Sequence, residues 1–295
     1  MIVDVHTHTP RYRDAIPTEA ASQVNTKWST GKAIQMAYTW GEFRAALEPV
    51  DRAIVFNIAA DPRGLHEMDE PYIVPIPDVN DETAAFVNAY PEKFIGFVTA
   101  HPHDPHAIEE IERGTQNLGL RGIKLGLNYQ NTDPLGPEAF RIYDYAQAHR
   151  LPILVHAGTS PVRFADIDYA HPRHIDRVAM AFPNLTVIMA HIGHPWQTDC
   201  IAVVRKHPNI WADVSGSVLR AWGHYNAMQA ATEWGVLDKL LFGSDYPAST
   251  PHETMAKLRD VNSVIRGTAL PPVPEDKIEE IIHRDSLTLL GLATD

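Results

Sequence analysis

The sequence predicts an α/β protein, specifically a (β/α)8 TIM barrel, from three observations. Short β-branched runs of nearly continuous apolar character recur along the 295 residues, which is typical of strands buried on both faces of a parallel sheet. Between them lie segments with apolar residues at i, i+3 or i+4, which predict helices packed on that sheet. Eight such strand–helix units favour a closed barrel forming a single domain over residues 1–295.

The predicted strands cover residues 2–5, 52–58, 94–99, 122–125, 152–156, 185–191, 210–214 and 239–245. Helical periodicity is clearest over residues 81–89, 107–117, 138–148, 175–181 and 198–206. Pro91, Pro183 and Pro208 follow predicted helices and indicate where they stop, because proline cannot continue a helix.

Two long segments interrupt the alternation. Residues 9–39 form an inserted loop after the first strand, and residues 59–80 form a proline-punctuated loop after the second. In a barrel both would lie at the carboxyl ends of the strands, where barrel enzymes carry their chemistry. Residues 275–292 are predicted to form a C-terminal amphipathic helix against the barrel wall. An open doubly wound sheet is the alternative fold, but no Gly-x-Gly-x-x-Gly turn follows the first strand.

Composition narrows the functional classes. The net charge is −12, from 25 basic and 37 acidic residues, and no basic run is present, so nucleic acid is not an expected partner. The single cysteine, Cys200, excludes an intrachain disulfide and fits a reducing compartment. The chain enters a strand without a signal-peptide pattern, and no apolar run approaches the roughly 20 residues of a membrane span. We therefore expect a cytoplasmic protein without a membrane segment.

Four predicted strands end in imidazole or carboxylate side chains. The first ends in His6 and His8, which project to the same side of an extended chain. The fifth ends in His156, the sixth in His191 and the eighth in Asp245. In a parallel barrel all of these ends share one rim. Unpaired buried polar groups cost roughly 1–3 kcal/mol each, and a divalent cation offsets that cost by coordinating them.

The types of ligand narrow the choice of metal. Three imidazoles and one carboxylate suit Zn²⁺, with Mn²⁺, Fe²⁺ and Co²⁺ as alternatives. The pKa of a zinc-bound water falls from about 15.7 to about 7, which yields a hydroxide nucleophile at neutral pH. Asp245 is then placed to act as general base on that water. His191 is placed to hydrogen-bond the water or polarise the substrate oxygen.

The ordered motifs Val-Asp-Val-His-Thr-His, Gly-Ile-Lys-Leu, Leu-Val-His-Ala-Gly, Ala-His-Ile-Gly-His-Pro and Leu-Phe-Gly-Ser-Asp-Tyr-Pro resemble those of the amidohydrolase superfamily. The resemblance is to its amidohydrolase-2 branch, which contains the aminocarboxymuconate-semialdehyde decarboxylase-like enzymes, and it extends from residue 1 to about residue 292. It implies a barrel with a mononuclear site in which His6, His8, His156 and Asp245 are metal ligands and His191 is catalytic. The branch includes hydrolases, hydratases and non-oxidative decarboxylases, and its members often form homodimers.

The resemblance leaves two residues open. Lys124 either carries a carboxylate that bridges a second metal, with His191 as a further ligand, or pairs with a carboxylate of the barrel. His194 either faces the pocket or lies at a helix start with its ring in solvent or against Trp196. The Gly-His-Pro-Trp segment at His194 departs from the glycine-rich segment of the branch's decarboxylases, which favours hydrolysis.

Other polar residues are weaker candidates. His101 and His103 form a second His-x-His, for which a polar rim is the favoured interpretation. Asp213 and Asn57 end strands and are predicted to hydrogen-bond a ligand histidine. Candidates for binding a substrate carboxylate or a planar substrate are Arg11, Arg13, Arg163, Arg220, Trp28, Tyr38 and Trp222.

The leading functional hypothesis is a metal-dependent hydrolase of a small ester, lactone or amide that bears a carboxylate. A non-oxidative decarboxylase of an aromatic or muconate-type acid is the alternative on the same scaffold. A catalytically silent barrel that only binds a ligand is a third hypothesis, and it predicts low metal content.

Overall fold

The computed structural model describes residues 1–10, 38–59, 78–160 and 165–293. Most of both predicted long loops, together with Arg11, Arg13, Trp28 and Arg163, lies outside the described residues. The strands are β1 (Val3–His8), β2 (Arg52–Phe56), β3 (Phe94–Gly96), β4 (Val98–Thr99), β5 (Ile123–Leu125), β6 (Ile153–Val155), β7 (Val187–Met189), β8 (Ile210–Asp213) and β9 (Leu240–Leu241).

The strands pair in parallel with their neighbours in sequence, in two sheets of order β1-β2-β3 and β4-β5-β6-β7-β8-β9. β3 and β4 are two parts of the third predicted strand, separated by Phe97. The Phe97 N–H donates to Val55 O at 2.9 Å, and the Val98 N–H donates to Gly122 O at 2.8 Å. At Phe97 the chain therefore passes from a partner in one sheet to a partner in the other.

The opposite edges of the two sheets also meet. The Val5 N–H donates to Phe242 O at 3.0 Å, and Thr7 forms a parallel bridge with Tyr246. β9 is thereby connected back to β1. The predicted α/β architecture of eight parallel strand–helix units is confirmed.

The helices are α1 (Trp40–Ala46), α2 (Asp78–Ala89), α3 (Ala107–Gln116), α4 (Pro137–His149), α5 (Arg173–Ala181), α6 (Gln197–Lys206), α7 (Ala221–Glu233), α8 (Pro251–Arg259), α9 (Glu275–Ile282) and α10 (Ser286–Leu289). The helical pattern did not predict α1, α7 or α8. α8 nevertheless begins with a readable signal, because Thr250 and Glu253 form a capping box and Pro251 occupies the first turn. No described helix is long and apolar enough to cross a bilayer.

The prediction of one helix over residues 275–292 is wrong, because the chain breaks between α9 and α10. Asp285 caps α10 by accepting a hydrogen bond from the Thr288 N–H at 3.2 Å. Within the break, Arg284 Nε donates to Leu240 O at 3.0 Å. The cap at Asp285 and the contact of Arg284 with β9 hold the chain in this break, so the helix does not continue from α9 into α10.

Two clusters of buried apolar side chains form the core. The larger combines strand and helix residues and fills the layer between them. The smaller consists of strand side chains, including Val5 and Phe56, together with Leu287, Leu290 and Leu292. It fills the barrel interior, so the C-terminal segment packs against the inner core as well as the wall.

Truncation of Leu287 tests this arrangement. Leu287 is 3% exposed, so we expect Leu287→Ala to lower the free energy of unfolding by about 2–5 kcal/mol through lost burial and a cavity. Leu289 lies in the same helix and is 40% exposed, so Leu289→Ala is the matched control, with an expected change within about 0.5 kcal/mol. Urea denaturation of the two variants makes the comparison. Equal losses would contradict the proposed packing of α10.

Candidate metal centre

His6 and His8 lie at the carboxyl end of β1, where they approach Asp245. His6 Nε2 is 3.3 Å and His8 Nε2 is 3.1 Å from Asp245 Oδ1. The pairing of β1 with β2 is irregular between Asp4 and Thr7, so simple alternation does not hold there. An irregularity of this kind re-aims side chains next to a site. Residues separated by more than two hundred positions are thus brought together.

Asp245 does not extend β9, which ends at Leu241. Its φ is +59°, a left-handed conformation that is costly for a residue other than glycine. Two backbone hydrogen bonds hold it there: the Asp245 N–H donates to His6 O at 2.8 Å, and the Ala248 N–H donates to Asp245 O at 2.7 Å. The strain is maintained where the carboxylate meets the imidazoles.

Asp4 connects, through hydrogen bonds, the two chain segments that carry His6 and Asp245. Its Oδ1 accepts hydrogen bonds from the His6 N–H at 3.1 Å and the Ser244 N–H at 2.9 Å. Asp4 is fully buried, and burial raises its pKa to about 7, although both hydrogen bonds favour the charged form. Its position links β1 directly to the segment that follows β9.

Asp213, at the end of β8, contacts two histidines of the site. Its Oδ2 lies 2.9 Å from His6 Nδ1, and its Oδ1 accepts hydrogen bonds from the His191 N–H at 3.0 Å and the Ser215 N–H at 3.0 Å. Burial alone would raise the pKa of Asp213, but the adjacent His6 and these donors lower it below its ordinary value. The hydrogen bond predicted between Asp213 and a histidine of the site is present.

His191 belongs to a short 3₁₀ turn, Ala190–Gly193, because β7 ends at Met189. Its φ is +60°, and that of Ile192 is +45°, so the backbone is strained here as it is at Asp245. A Cβ atom on Gly216 would lie 2.9 Å from His191 Nδ1. Glycine at position 216 is therefore required for the ring to occupy this place.

His156 approaches the centre through His191. His156 Nδ1 is 3.3 Å from His191 Nε2, and His156 Nε2 is 3.0 Å from Gly158 O. A carbonyl only accepts, so His156 Nε2 carries the proton and Nδ1 presents a lone pair. Burial, followed by the nearby His191 and Lys124, lowers the pKa of His156 well below its ordinary value.

The side-chain atoms fall into two close groups among the described residues. Donor atoms of His6, His8 and Asp245 all lie within 4.8 Å of one another, and so do those of His6, His191 and Asp213. His156 belongs to neither group and contacts them through His191. The structure therefore assembles three of the four predicted ligands around one point and places the fourth beside it.

These residues fit a divalent cation. The edge of a tetrahedral zinc site with bonds of about 2.0–2.1 Å is about 3.3–3.4 Å, close to the distances of 3.1 and 3.3 Å between the histidine nitrogens and Asp245 Oδ1. His6 Nε2 is buried and makes no hydrogen bond within the described part of the chain. Burial lowers the pKa of His6 to about 4, with a contribution from Lys124, so its imidazole is neutral, the form that binds metals.

Lys124 is fully buried at β5. Its Nζ lies 4.5 Å from the centre of the Phe56 ring, and the same ring packs edge-on to His6 and His8 at centroid distances of 5.1 and 5.2 Å. Lys124 therefore lies next to the aromatic ring that packs against His6 and His8. Both of its predicted roles, bridging ligand and ion-pair partner, stay predictions.

The remaining candidates lie around this centre. His194 Nδ1 is 2.8 Å from Gln197 Nε2, and burial, followed by the nearby Arg220, lowers its pKa to about 4. The Asn57 side chain donates to Thr9 Oγ1 at 2.9 Å and accepts from the Ile58 N–H at 2.8 Å. It hydrogen-bonds no histidine among the described residues, so that prediction is wrong. Tyr38 donates its hydroxyl proton to His8 O at 2.6 Å and supports the end of β1.

The second His-x-His pair belongs to neither donor group among the described residues. His101 Nδ1 accepts a hydrogen bond from the His103 N–H at 3.2 Å, and neither residue joins a metal-type cluster among the described residues. Trp222 is 58% exposed and packs near Tyr225.

Sequence reasoning assigned no role to Asp4, described above, and it missed two further residues of the site. Tyr129 places its hydroxyl 3.5 Å from His156 Nε2, and Ser215 lies between Asp213 and His191. Tyr129 follows the end of β5 by four positions, and Ser215 follows the end of β8 by two. This closeness to a strand end is the signal that sequence reasoning could have used.

A parallel barrel that gathers imidazoles and carboxylates at the carboxyl ends of its strands defines a class of metal-dependent barrel proteins. The family model of the amidohydrolases, in their amidohydrolase-2 form, matches residues 3–287. The chain belongs to this family, and the family resemblance predicted from the motifs is confirmed.

Solved structures with the same fold cover almost the whole chain. An uncharacterized TIM-barrel protein from Bordetella bronchiseptica has a TM-score of 0.70 at 21% identity, covering 99% of this chain and 98% of that one. A probable 2-pyrone-4,6-dicarboxylic acid hydrolase from Acinetobacter baumannii has a TM-score of 0.61 at 13% identity, covering 98% and 99%. A dihydroxybenzoic acid decarboxylase from Polaromonas sp. JS666, with manganese and 2-nitroresorcinol bound, has a TM-score of 0.67 at 14% identity, covering 100% and 98%.

Removal of the Asp213 charge tests the support of the centre. We expect Asp213→Asn to weaken zinc binding by about 10–100-fold, because the carboxylate that orients His6 and raises its basicity is lost. Competition with a chromogenic chelator measures the affinity. Asp260 is exposed and pairs with Arg266, so Asp260→Asn is the control that keeps wild-type affinity. An unchanged affinity in Asp213→Asn would rule out this supporting role.

Proposed function

We propose that this protein is a metal-dependent hydrolase of a small ester, lactone or amide that carries a carboxylate. The observation that carries the proposal is the position of Asp245 Oδ1, which lies 3.1 and 3.3 Å from the His8 and His6 nitrogens, with the His191 ring centre 5.0 Å from that of His6. Membership of the amidohydrolase family supports metal-dependent chemistry at these residues.

His6, His8, His156 and Asp245 are the residues we propose to hold the cation, with zinc as the favoured metal for a set of three imidazoles and one carboxylate. Manganese is the alternative, since the Polaromonas decarboxylase binds it. When bound, the cation supplies Lewis acidity and brings the pKa of a water molecule near 7.

Two side chains handle the proton in this proposal. The Asp245 carboxylate accepts the proton of the attacking water and passes it to the leaving group. His191 turns Nε2 toward His156 Nδ1 at 3.3 Å, so the same nitrogen faces the centre, where it accepts a hydrogen bond from the attacking water. Both residues are held in left-handed conformations by the surrounding backbone, which fixes the direction of their side chains.

Arg220 supports the choice of a carboxylate-bearing substrate. It follows the 3₁₀ turn Ser217–Leu219 at the same end of the barrel, and it lies near enough to His194 to lower the pKa of that histidine. Its guanidinium makes no hydrogen bond or ion pair with any residue that the structure describes. A partly buried cation that no described residue neutralises is suited to bind a substrate carboxylate.

Non-oxidative decarboxylation is the second candidate. It is favoured by the likeness of the fold to the dihydroxybenzoic acid decarboxylase. In that reaction Arg220 and the metal centre would hold the acid. The carbon–carbon bond to a substrate carboxylate would break, CO₂ would leave, and a proton would take its place on the carbon, with no attack by water. A paired assay separates the candidates: hydrolysis of a lactone panel incorporates ¹⁸O from labelled water into the product, whereas decarboxylation of dihydroxybenzoates releases CO₂.

Replacement of Asp245 tests its role as the base. We expect Asp245→Asn to lower kcat by about 10²–10⁴-fold, because a general base is lost, while the thermal transition stays cooperative. Asp238→Asn, at an exposed aspartate before β9, is the control and keeps wild-type turnover. Metal content is measured on both variants by elemental analysis. Near-normal turnover in Asp245→Asn would refute the assignment.

Metal content separates an enzyme from a silent binding barrel. We expect about one equivalent of zinc or manganese after purification without added metal, because three donor atoms converge within 4.8 Å. Prolonged dialysis against a chelator should remove the metal and abolish turnover, and re-addition should restore it. A protein that neither retains nor takes up a stoichiometric cation would contradict the proposal.

A further inference from the structure

Ser215 occupies an unusual place between three side chains of the site. Its Oγ lies 2.9 Å from His191 Nδ1 and 3.3 Å from His6 Nδ1, and it hydrogen-bonds Asp213 Oδ1. Ser215 is fully buried, so water does not compete for these contacts. A hydroxyl with one proton and three polar neighbours must assign its proton to one of them.

The partners decide that assignment. Asp213 is an ionised carboxylate that accepts from the backbone N–H groups of His191 and Ser215, so it accepts the Ser215 hydroxyl proton as well. His6 Nδ1 is closer to Asp213 Oδ2, at 2.9 Å, and donates its proton there. The remaining lone pair of Ser215 Oγ faces His191 Nδ1, which must therefore be the donor.

We propose that Ser215 is a positioning residue that fixes the proton of neutral His191 on Nδ1 and leaves Nε2 free to accept. The inference rests on the proposed function for the catalytic role of His191, but the tautomer itself follows from the contacts alone. His191 Nε2 then faces His156 Nδ1, which also presents a lone pair. Two lone pairs 3.3 Å apart repel unless a cation or a proton lies between them.

The strained backbone of residues 191 and 192 positions the His191 ring next to Ser215. The left-handed turn carries the His191 ring over Gly216, where a Cβ atom would be 2.9 Å from Nδ1. In this place Nδ1 reaches Ser215 and Nε2 points the opposite way. Without the hydroxyl, the acceptor left to Nδ1 among the described residues would be Ser215 O, at 3.3 Å.

The test uses ¹⁵N-histidine-labelled, zinc-loaded protein at pH 8.5, with His191 assigned from the resonances lost in His191→Gln. We expect wild-type His191 to be protonated on Nδ1, and Ser215→Ala to shift it toward the Nε2-protonated or mixed form at unchanged zinc content. Ser215→Thr, which restores a hydroxyl, should return the Nδ1 form. Ser217→Ala is the matched control, because Ser217 is buried but hydrogen-bonds Val214 O and His224, away from His191.

The kinetic readout is separate from the spectrum. With a substrate that the wild type hydrolyses, Ser215→Ala should lower kcat by about 10²-fold, the lower end of general acid–base contributions, with KM within about threefold. Wild-type His191 protonated on Nε2, or a tautomer that Ser215→Ala leaves unchanged, would overturn the inference. If the wild type turns over no hydrolysable substrate, the proposed function fails while the NMR measurement still decides the role of Ser215.

Discussion

The buried Asp213 carboxylate is the interaction on which the geometry of the site depends. A charge without solvent is costly unless hydrogen bonds surround it, and here His6, Ser215 and the backbone of His191 supply them. One residue thus fixes a histidine from β1 and another from the turn after β7. Because both imidazoles are held from behind by the same carboxylate network, their relative position is set before any ligand arrives.

This arrangement requires strained backbone conformations just beyond the ends of the strands. His191, Ile192 and Asp245 all adopt left-handed φ values, and none is a glycine. Such conformations persist only where surrounding structure holds them. At Asp245 the backbone hydrogen bonds to β1 and to Ala248 do so. Barrel strands supply the rigid frame, while short strained turns aim the reactive groups, which is the division of roles that a barrel permits.

The sequence predicted the fold and the meeting of His6, His8 and Asp245, because strand periodicity and polarity place strand ends on one rim. It did not predict the β1 irregularity, or the ends of β7 and β9 at Met189 and Leu241. Those features depend on pairing across the barrel, which local patterns do not encode. Ser215 was missed for the same reason: a serine after a strand is ordinary until Asp213 and His191 are seen around it. The break before α10 depends on Asp285 and Arg284, whose partners are Thr288 and a distant strand.

The apolar interior of the barrel takes part in the chemistry as well as in stability. Phe56 belongs to the inner core, yet its ring also packs against His6 and His8 and lies beneath the Lys124 ammonium. This apolar floor excludes water, and the resulting desolvation keeps the imidazole of His6 neutral. A neutral imidazole in a low-dielectric setting binds a metal cation strongly. Burial disfavours its protonated form, so protons compete weakly with the metal. The packing that closes the barrel from within therefore also prepares its rim to bind a metal.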